Sequence, residues 1–317
     1  MVEIKNLIKM YGKFTAVDNL NLNIPEGAIY GFVGPNGAGK TTTMKIMSGL
    51  LTATGGEVFI DNTDVVKNPL ALKEKIGYMP DFFGVYDNLK VSEYMDFYEG
   101  AYYIPYNERK ELTESLLELV DLSEKKEEYV DSLSRGMKQR LCVARCLIHD
   151  PKVVILDEPA SGLDPRARIE LKEILKQLRQ MGKTIIISSH ILSELSEMCT
   201  HVAIIDRGKI MISGSMADVM RSLSVNRIFN IRPLEKIQEL ISLLEEKPDV
   251  SDIYESTDNV EFSYKGKDED FALLVKEIIL KDIPIINIKE KEGNLEQIFM
   301  EVTGSGKAFT EGENANA

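Results

Sequence analysis

The segment GPNGAGKT at residues 34–41 has the residue types and spacing of a phosphate-binding loop. It fits the pattern G-x-x-x-x-G-K-[ST], follows the apolar run IYGFV and precedes an apparent helix. Glycines let backbone N–H groups converge on phosphate oxygens, and the N-terminus of the helix adds a favourable dipole. The Lys40 side chain can reach β- and γ-phosphates, and the Thr41 hydroxyl can ligate Mg²⁺. We therefore predict that this loop binds a nucleoside triphosphate.

The residues of this loop that we expect to contact the nucleotide are Gly34, Pro35, Asn36, Gly37, Ala38, Gly39, Lys40, Thr41 and Thr42.

The segment VVILDEP at 153–159 supplies two carboxylates at the end of an apolar, buried-type strand. At such a strand end Asp157 can hold hydrated Mg²⁺, and Glu158 can polarise an attacking water molecule. An Asp-Glu-Pro turn that merely ends a strand is the alternative. The phosphate-binding loop elsewhere in the chain favours the catalytic interpretation.

Three further motifs lie in a fixed order with these two: LSRGM at 133–137, SGLD at 161–164 and SSH at 188–190. Together the five resemble the motifs of the ATP-binding-cassette (ABC) transporter ATPases, over about residues 1–220. The resemblance implies a single-domain ATPase that pairs head to tail, with two ATP molecules sandwiched between protomers. Each phosphate-binding loop would then face the LSRGM signature motif of the other chain.

The resemblance also implies roles for single residues. Tyr11 is similar to the aromatic residue that stacks on adenine, although an ordinary strand aromatic is the alternative. His190 resembles the histidine that contacts the γ-phosphate, and Asp164 the residue that couples the two sites. Ser134 and Gly136 occupy the positions that meet the ATP held by the partner protomer.

Two positions depart from the family pattern. In GYMPD, Asp81 stands where the family usually has Gln, whose side chain touches Mg²⁺ or the lytic water. An aspartate can still ligate hydrated Mg²⁺, so a metal-sensing role and a role in shaping the turn after Pro80 both stay open. In the signature motif, the more usual L-S-G-G-Q is LSRGM, so that Arg135 and Met137 replace Gly and Gln.

The signature motif opens a basic stretch, LSRGMKQR at 133–140, in a chain of net charge −13. We expect Ser134 to cap a helix whose N-terminus points at phosphate. Arg135 is either an additional positive charge at the dimer seam or a solvated surface residue, and we favour the first.

The composition excludes several classes of protein. The chain has 317 residues, enough for about two domains, and 44% hydrophobic residues, enough for real cores. Its pI of about 4.9 argues against nucleic acid as a partner. No apolar run approaches the roughly 18 residues that span a bilayer, and no signal peptide is apparent. We therefore expect a cytoplasmic protein, held peripherally on the inner face of the cell membrane through a separate integral membrane permease.

The fold class that these patterns predict is α/β: a P-loop NTPase domain of the ABC ATPase type with a helical subdomain, followed by a small α+β, ferredoxin-like domain. The proposed boundaries are 1–222 for the ATP-binding domain, about 85–150 for its helical subdomain, 223–303 for the accessory domain and 304–317 for a disordered tail. Apolar spacing over 223–303 predicts the order β-α-β-β-α-β with a last helix around 295–302. From residue 223 onward the chain carries 11 basic and 20 acidic residues, most of its net negative charge.

Two features indicate what this ATPase drives. Residues 82–106 hold nine of the 23 Phe and Tyr residues, and in the family this region receives a short helix of the membrane subunit. We expect some of five aromatic residues to line that groove: Phe82, Phe83, Tyr86, Tyr94 and Phe97. The acidic C-terminal unit, which ends in NLEQIFMEVTG, resembles the appendix of the multidrug and antibiotic exporter branch, which indicates export. The alternative is a soluble ABC ATPase that acts on nucleic acid or the ribosome; a single cassette and an acidic balance disfavour it.

Overall fold

The computed structural model describes residues 1–291, apart from residues 83, 85, 87, 192–194, 224–226 and 257. The chain forms two compact units that divide between residues 216 and 217. The boundary that the sequence predicts, residue 222, lies near the end of the helix Met216–Leu223. The helix predicted around 295–302 and the tail predicted at 304–317 lie outside the described residues.

The first unit contains ten strands, six α-helices and two short 3-10 helices, Ser123–Lys125 and Val130–Ser132, among its described residues. The strands are β1 (Val2–Tyr11), β2 (Phe14–Ile24), β3 (Ile29–Val33), β4 (Gly55–Ile60), β5 (Thr63–Asp64), β6 (Ile76–Met79), β7 (Val153–Leu156), β8 (Thr184–Ser189), β9 (His201–Asp206) and β10 (Lys209–Ser215). The helices are α1 (Lys40–Met47), α2 (Pro69–Leu72), α3 (Val91–Ala101), α4 (Tyr106–Leu119), α5 (Arg135–Leu147) and α6 (Pro165–Gln180).

Two sheets build this unit. One is antiparallel, in the order β2-β1-β4-β5, and the other has the order β10-β9-β3-β8-β7-β6. In the second sheet β9, β3, β8, β7 and β6 run parallel, and β10 pairs antiparallel with β9. Every residue of β3, β7 and β8 is buried, because parallel strands between covered faces need apolar side chains on both sides. This confirms the predicted α/β class.

The parallel register brings the carboxyl ends of four strands together. Val33 of β3 pairs with Ser189 of β8, and Leu156 of β7 pairs with Ile187 of β8 and with Met79 of β6. In open α/β sheets, ligands bind beyond the carboxyl ends of the strands. All four strands are followed directly by a predicted site segment: the phosphate-binding loop after β3, the Asp81 turn after β6, the Asp157–Glu158 pair after β7 and His190 after β8.

Helix α6 begins as the sequence predicts. The Asp164 carboxylate Oδ1 accepts a hydrogen bond from the backbone N–H of Ala167 at 2.8 Å, and Pro165 occupies the first turn. Both features stabilise a helix start. The predicted apolar stripe is buried against the sheet and consists of Leu171, Ile174, Leu175 and Leu178.

The second unit confirms the predicted order of elements. Its described parts are α7 (Met216–Leu223), β11 (Arg227–Pro233), α8 (Ile237–Glu245), β12 (Val250–Glu255), β13 (Val260–Tyr264), α9 (Asp268–Leu280) and β14 (Ile285–Lys291). The sheet has the order β12-β13-β11-β14 with every pair antiparallel, which is the arrangement of a ferredoxin-like fold. Its core includes the stacked pair Phe229 and Phe271, whose ring centroids lie 3.8 Å apart.

Within the part of the chain that the structure describes, every helix is too short or too polar to traverse a lipid bilayer.

Candidate functional site

The phosphate-binding loop leaves β3 and ends at Lys40, the first residue of α1. Two of its glycines have no room for a side chain. A Cβ on Gly34 would lie 2.3 Å from the Ile205 carbonyl oxygen, and one on Gly39 would lie 2.5 Å from the Ala16 carbonyl oxygen. Gly39 also has a φ of 105°, a conformation that other residues rarely adopt. The loop is therefore a bare-backbone cradle at a helix N-terminus, which suits a phosphate group.

The Lys40 ammonium group is buried at the mouth of this cradle. Its Nζ donates to the Gly34 carbonyl at 2.7 Å and to the Pro35 carbonyl at 3.3 Å. It also lies 3.4 Å from Oε1 of Glu158. The predicted phosphate-binding cation and the predicted catalytic carboxylate thus form an ion pair.

Asp157 is fully buried at the end of β7. Its Oδ1 accepts hydrogen bonds from the Ser188 hydroxyl at 2.6 Å and from the Thr41 hydroxyl at 3.2 Å. Its Oδ2 is buried and has no hydrogen-bond partner among the described residues. Burial raises the pKa of this carboxyl above its ordinary value, the two hydroxyl donors oppose that rise, and the neighbouring Asp81 and Glu158 add to it. An unpaired oxygen on a carboxylate that also meets Thr41 fits a divalent cation.

The described residues supply too few ligands to hold such a cation alone. Among the described residues, no group of three or more His, Cys, Asp or Glu side chains has the geometry of a metal site. Magnesium prefers near-octahedral coordination and commonly takes its other ligands from substrate phosphates and water. The arrangement is therefore suited to Mg²⁺ that arrives with a nucleotide.

Glu158 and His190 form a hydrogen-bonded pair at the same edge of the sheet. His190 Nδ1 lies 2.9 Å from Glu158 Oε2. Glu158 has a positive φ of 51°, and its backbone N–H donates to the Ser188 hydroxyl at 2.8 Å. Such a strained backbone is kept where the surroundings fix it. Ser188 therefore holds both acidic residues, Asp157 by its side chain and Glu158 by its backbone.

An open pocket lies in front of the phosphate-binding loop, and most of the predicted site residues line it. Its lining is Tyr11, Phe14, Ala16, Asn36, Gly37, Gly39, Lys40, Thr41, Thr42, Asp81, Glu158, Ser161 and His190. Of these, sequence reasoning missed Phe14, Ala16 and Ser161. The signal for Phe14 was present, because Tyr11 and Phe14 flank a Gly12–Lys13 turn and are cross-strand partners. Both aromatic rings are at least half exposed beside the loop.

Three predicted residues lie in a different cavity. Ser134, Gly136 and Asp164 line a depression between α5 and α6, and none of them lines the pocket of Lys40. Ser134 caps α5 as predicted, since its hydroxyl accepts from the backbone N–H of Met137 at 3.3 Å. The roles that the resemblance assigns to these residues stay predictions.

The three basic residues of the stretch at 133–140 have different surroundings. Arg140 is buried, donates to the Val120 carbonyl at 2.8 Å and pairs with Asp121 and Glu170. It is a structural link between α4, α5 and α6. Lys138 lies 3.6 Å from a carboxylate oxygen of Asp131.

Arg135 is the exposed member of the basic stretch. A Cβ on Gly162 would lie 2.7 Å from the guanidinium carbon of Arg135, so this side chain covers the SGLD segment of its own chain. Its predicted place at the dimer seam stays a prediction.

The aromatic region after Asp81 divides into core and surface. Tyr94 is fully buried and its hydroxyl accepts from Arg145 at 3.2 Å, so it belongs to the core and not to an exposed groove. Phe82, Tyr86 and Phe97 are exposed, and Tyr86 and Phe97 pack edge to face at 5.2 Å. Phe83 lies outside the described residues.

Comparison with known proteins gives the family. A family model described as ABC transporter matches residues 17–161. The bacitracin transport ATP-binding protein BcrA of Bacillus licheniformis is 34% identical over 309 residues, covering 96% of this chain and 98% of BcrA. The linearmycin resistance ATP-binding protein LnrL of Bacillus subtilis (strain 168) is 29% identical over 306 residues, with the same coverage.

Solved structures agree with this family. The dimeric ATP-binding cassette MJ0796, in a post-hydrolysis state bound to ADP and Pi, has a TM-score of 0.62 at 27% identity. The match covers 68% of this chain and 99% of that one. BcrA is 34% identical over nearly the whole of both chains, and the phosphate cradle and the acidic pair of this site have the chemistry of ATP hydrolysis. This protein therefore belongs to the ABC transporter ATP-binding proteins and is an ATPase that binds ATP.

Proposed function

We propose that two copies of this chain sandwich two ATP molecules and drive a separate membrane permease that exports antibiotic-type compounds. One observation carries the dimer: Lys40 and Ser134 line different cavities of the same protomer. A protomer therefore holds half of two sites rather than one whole site. A second copy, placed head to tail, supplies the missing half of each.

In this proposal the phosphates enter the bare-backbone cradle and Lys40 exchanges its contact with Glu158 for the phosphate oxygens. Thr41 and Asp157, with Asp81 beside them, would hold Mg²⁺, which would supply positive charge against the phosphates. Glu158, freed from Lys40, accepts a proton from the attacking water. His190, which already contacts Glu158 at 2.9 Å, aligns that carboxylate and reaches the γ-phosphate.

The dimer proposal is tested by Ser134→Arg. A bulky cation at the cap of α5 would block the close approach of a partner's ATP, so the variant is expected to bind ATP normally and to lose at least tenfold in hydrolysis. ATP-dependent dimerisation, measured by gel filtration in the Glu158→Gln background, is expected to disappear. The matched control is Ser115→Arg, an exposed serine on α4. Full ATPase activity of Ser134→Arg would contradict the sandwich.

The exposed aromatic residues after Asp81 support docking of the permease. Phe82 is 89% exposed and Phe97 49% exposed, although both are large and apolar, and protein interfaces are enriched in such side chains. The double variant Phe82→Ala, Phe97→Ala is expected to uncouple transport while the isolated chain keeps its ATPase activity. The matched control is Tyr103→Ala with Tyr106→Ala, two aromatic residues that are also exposed. Equal uncoupling by both pairs, or loss of ATPase activity in the first, would contradict this docking site.

The names of the relatives support export, and we place the chain on the cytoplasmic face of the membrane, bound to its permease. Their names assign bacitracin transport to BcrA and linearmycin resistance to LnrL, and both match this chain over 96% of its length, including the second unit. We place the choice of substrate in the permease. Purification from membranes with the co-purifying permease identified by mass spectrometry tests this, and recovery with ribosomes or nucleic acid instead would favour the soluble alternative.

A further inference from the structure

The two half-sites of one protomer are joined by a single short segment of chain. Glu158 and Ser161 line the pocket of Lys40, whereas Asp164 lines the cavity of Ser134. We call residues 158–164 the linking segment. It folds into tight turns, since the Ser161 N–H donates to the Glu158 carbonyl at 3.1 Å and the Leu163 N–H donates to the Ala160 carbonyl at 3.3 Å. A displacement of its middle is therefore transmitted to the backbone of Glu158.

Helix α5, which begins with the signature motif, holds the middle of the linking segment. Gln139, only 3% exposed, donates from Nε2 to the Ser161 carbonyl at 3.3 Å. Its Oε1 is buried without a hydrogen-bond partner among the described residues. A buried amide that keeps one atom unpaired is costly. Such a cost is tolerated where the other atom has a specific task, and here that task is the contact with the linking segment.

One further contact packs α5 closely against the linking segment. Gly136 has no room for a side chain, because a Cβ there would lie 2.9 Å from Cβ of Ala167 and 3.4 Å from Leu163. Because this packing is close, a shift of the α5 N-terminus towards the linking segment displaces Leu163. The exposed Arg135 side chain lies over Gly162 of the same segment.

We propose that Gln139 is a positioning residue that couples the two ATP sites. When Ser134 and Gly136 bind the ATP of the partner, the N-terminus of α5 takes up a fixed position. The hydrogen bond from Gln139 then fixes the position of Ser161. Ser161 in turn positions Glu158 in the site of the same chain. Each Glu158 is then aligned only when the opposite site is filled, which makes hydrolysis cooperative in ATP. Gln139 lines neither cavity. The inference rests on the sandwich dimer proposed above.

The test variant is Gln139→Met, which keeps the length and burial of the side chain and removes the donor. Its Hill coefficient for ATP hydrolysis is expected to fall towards one, and kcat is expected to fall by roughly three- to tenfold, as for one lost hydrogen bond. Binding of a fluorescent ATP analogue to the monomer is expected to stay unchanged. Gln177→Met, at an exposed position of α6, is the control and should match the wild type in all three measurements.

A second variant distinguishes loss of the Gln139 hydrogen bond from a folding defect caused by Gln139→Met. Gln139→Glu keeps the shape, lacks a donor when ionised and regains one when protonated. Because burial raises the pKa of a carboxyl group, cooperativity relative to wild type is expected to be low near pH 8 and to recover near pH 6. The melting temperature of this variant is measured over the same pH range, because a recovery of cooperativity at an unchanged melting temperature excludes a merely structural role.

The outcomes separate the inference from the proposed dimer. Absence of ATP-dependent dimers in the Glu158→Gln protein would overturn the sandwich itself. If those dimers form, a wild-type Hill coefficient in Gln139→Met, or no recovery of Gln139→Glu at low pH, would overturn the role of Gln139. A fall in cooperativity for Gln139→Met but not for Gln177→Met supports it.

Discussion

The ion pair between Lys40 and Glu158 predicts that one substitution changes nucleotide affinity and turnover in opposite directions. The two charges lie 3.4 Å apart, with the Lys40 side chain 6% and the Glu158 side chain 12% exposed. A phosphate group that binds Lys40 therefore competes with Glu158 for the ammonium group. Glu158→Gln removes the charge that competes with phosphate, and it also removes the proposed proton acceptor.

The size of both effects follows from the geometry. At 3.4 Å and an effective dielectric constant of about 20, the pair attracts by about 5 kcal/mol before desolvation is counted. Desolvation of both groups offsets most of this attraction. A net value of about 1.5 kcal/mol, typical of a hydrogen bond to a charged group, corresponds to about tenfold in affinity. Loss of a general base lowers turnover by about 100- to 10,000-fold.

The assay uses two separate measurements. Affinity is measured with ADP by isothermal titration calorimetry, because ADP is not hydrolysed and its β-phosphate is within the expected reach of Lys40. Turnover is measured by phosphate release under saturating ATP. Glu173→Gln is the control, since Glu173 is an exposed residue paired with Lys176 at 2.7 Å. Unchanged ADP affinity in Glu158→Gln would refute the competition between Glu158 and phosphate, and unchanged turnover would refute the role of Glu158 as base.

Three further predictions concern the same pocket. Burial raises the pKa of Asp157, so the folded state binds its proton more tightly than the unfolded state, and stability that is present at low pH is lost as pH rises through the raised pKa. Asp157→Asn is therefore expected to raise the melting temperature of the nucleotide-free protein at neutral pH by about 3 °C in a thermal shift assay while abolishing Mg²⁺-dependent hydrolysis; an unchanged or lower melting temperature contradicts this. Asp81→Ala is expected to raise the Mg²⁺ concentration for half-maximal hydrolysis and Asp81→Gln to restore it, and if neither variant changed Mg²⁺ dependence or rate, Asp81 would have no metal role. Tyr11→Ala is expected to raise KM for ATP by about 5- to 30-fold, as for a lost base–aromatic stack, with little change in kcat; a larger effect of Phe14→Ala would reassign the adenine contact to Phe14.

The segments that bind phosphate could be predicted because each is short and continuous in sequence. Gly34, Gly39 and Lys40 lie within one loop, and the loop conformation itself requires glycine where a Cβ would meet the Ile205 or Ala16 carbonyl. Asp157 and Glu158 come directly after the apolar run VVIL, which forms strand β7. The helix caps Ser134 and Asp164 were equally local, since a cap depends on residues three positions apart.

Contacts between segments far apart in sequence were beyond the reach of such reasoning. Arg140 was assigned to the basic stretch by its neighbours in sequence, but it is buried against Val120 and Asp121. Tyr94 was grouped with exposed aromatic residues, but it contacts Arg145 of another helix. In both cases the side chain is polar at its end and apolar along its length. Its location is therefore decided by which helix packs beside it, and no local pattern records that.

Local patterns of residues are enough to identify the chemistry of each segment: a phosphate loop, an acidic pair, a capped signature helix and an α/β alternation followed by β-α-β-β-α-β. How those segments meet depends on the tertiary fold. The strand order β3-β8-β7 brings Lys40 to Glu158 across more than a hundred residues of chain, and it leaves Ser134 in a separate cavity. The physical reason is that motif and periodicity are set by near neighbours. Strand order and register are set by burial of whole faces, which depends on the entire chain at once.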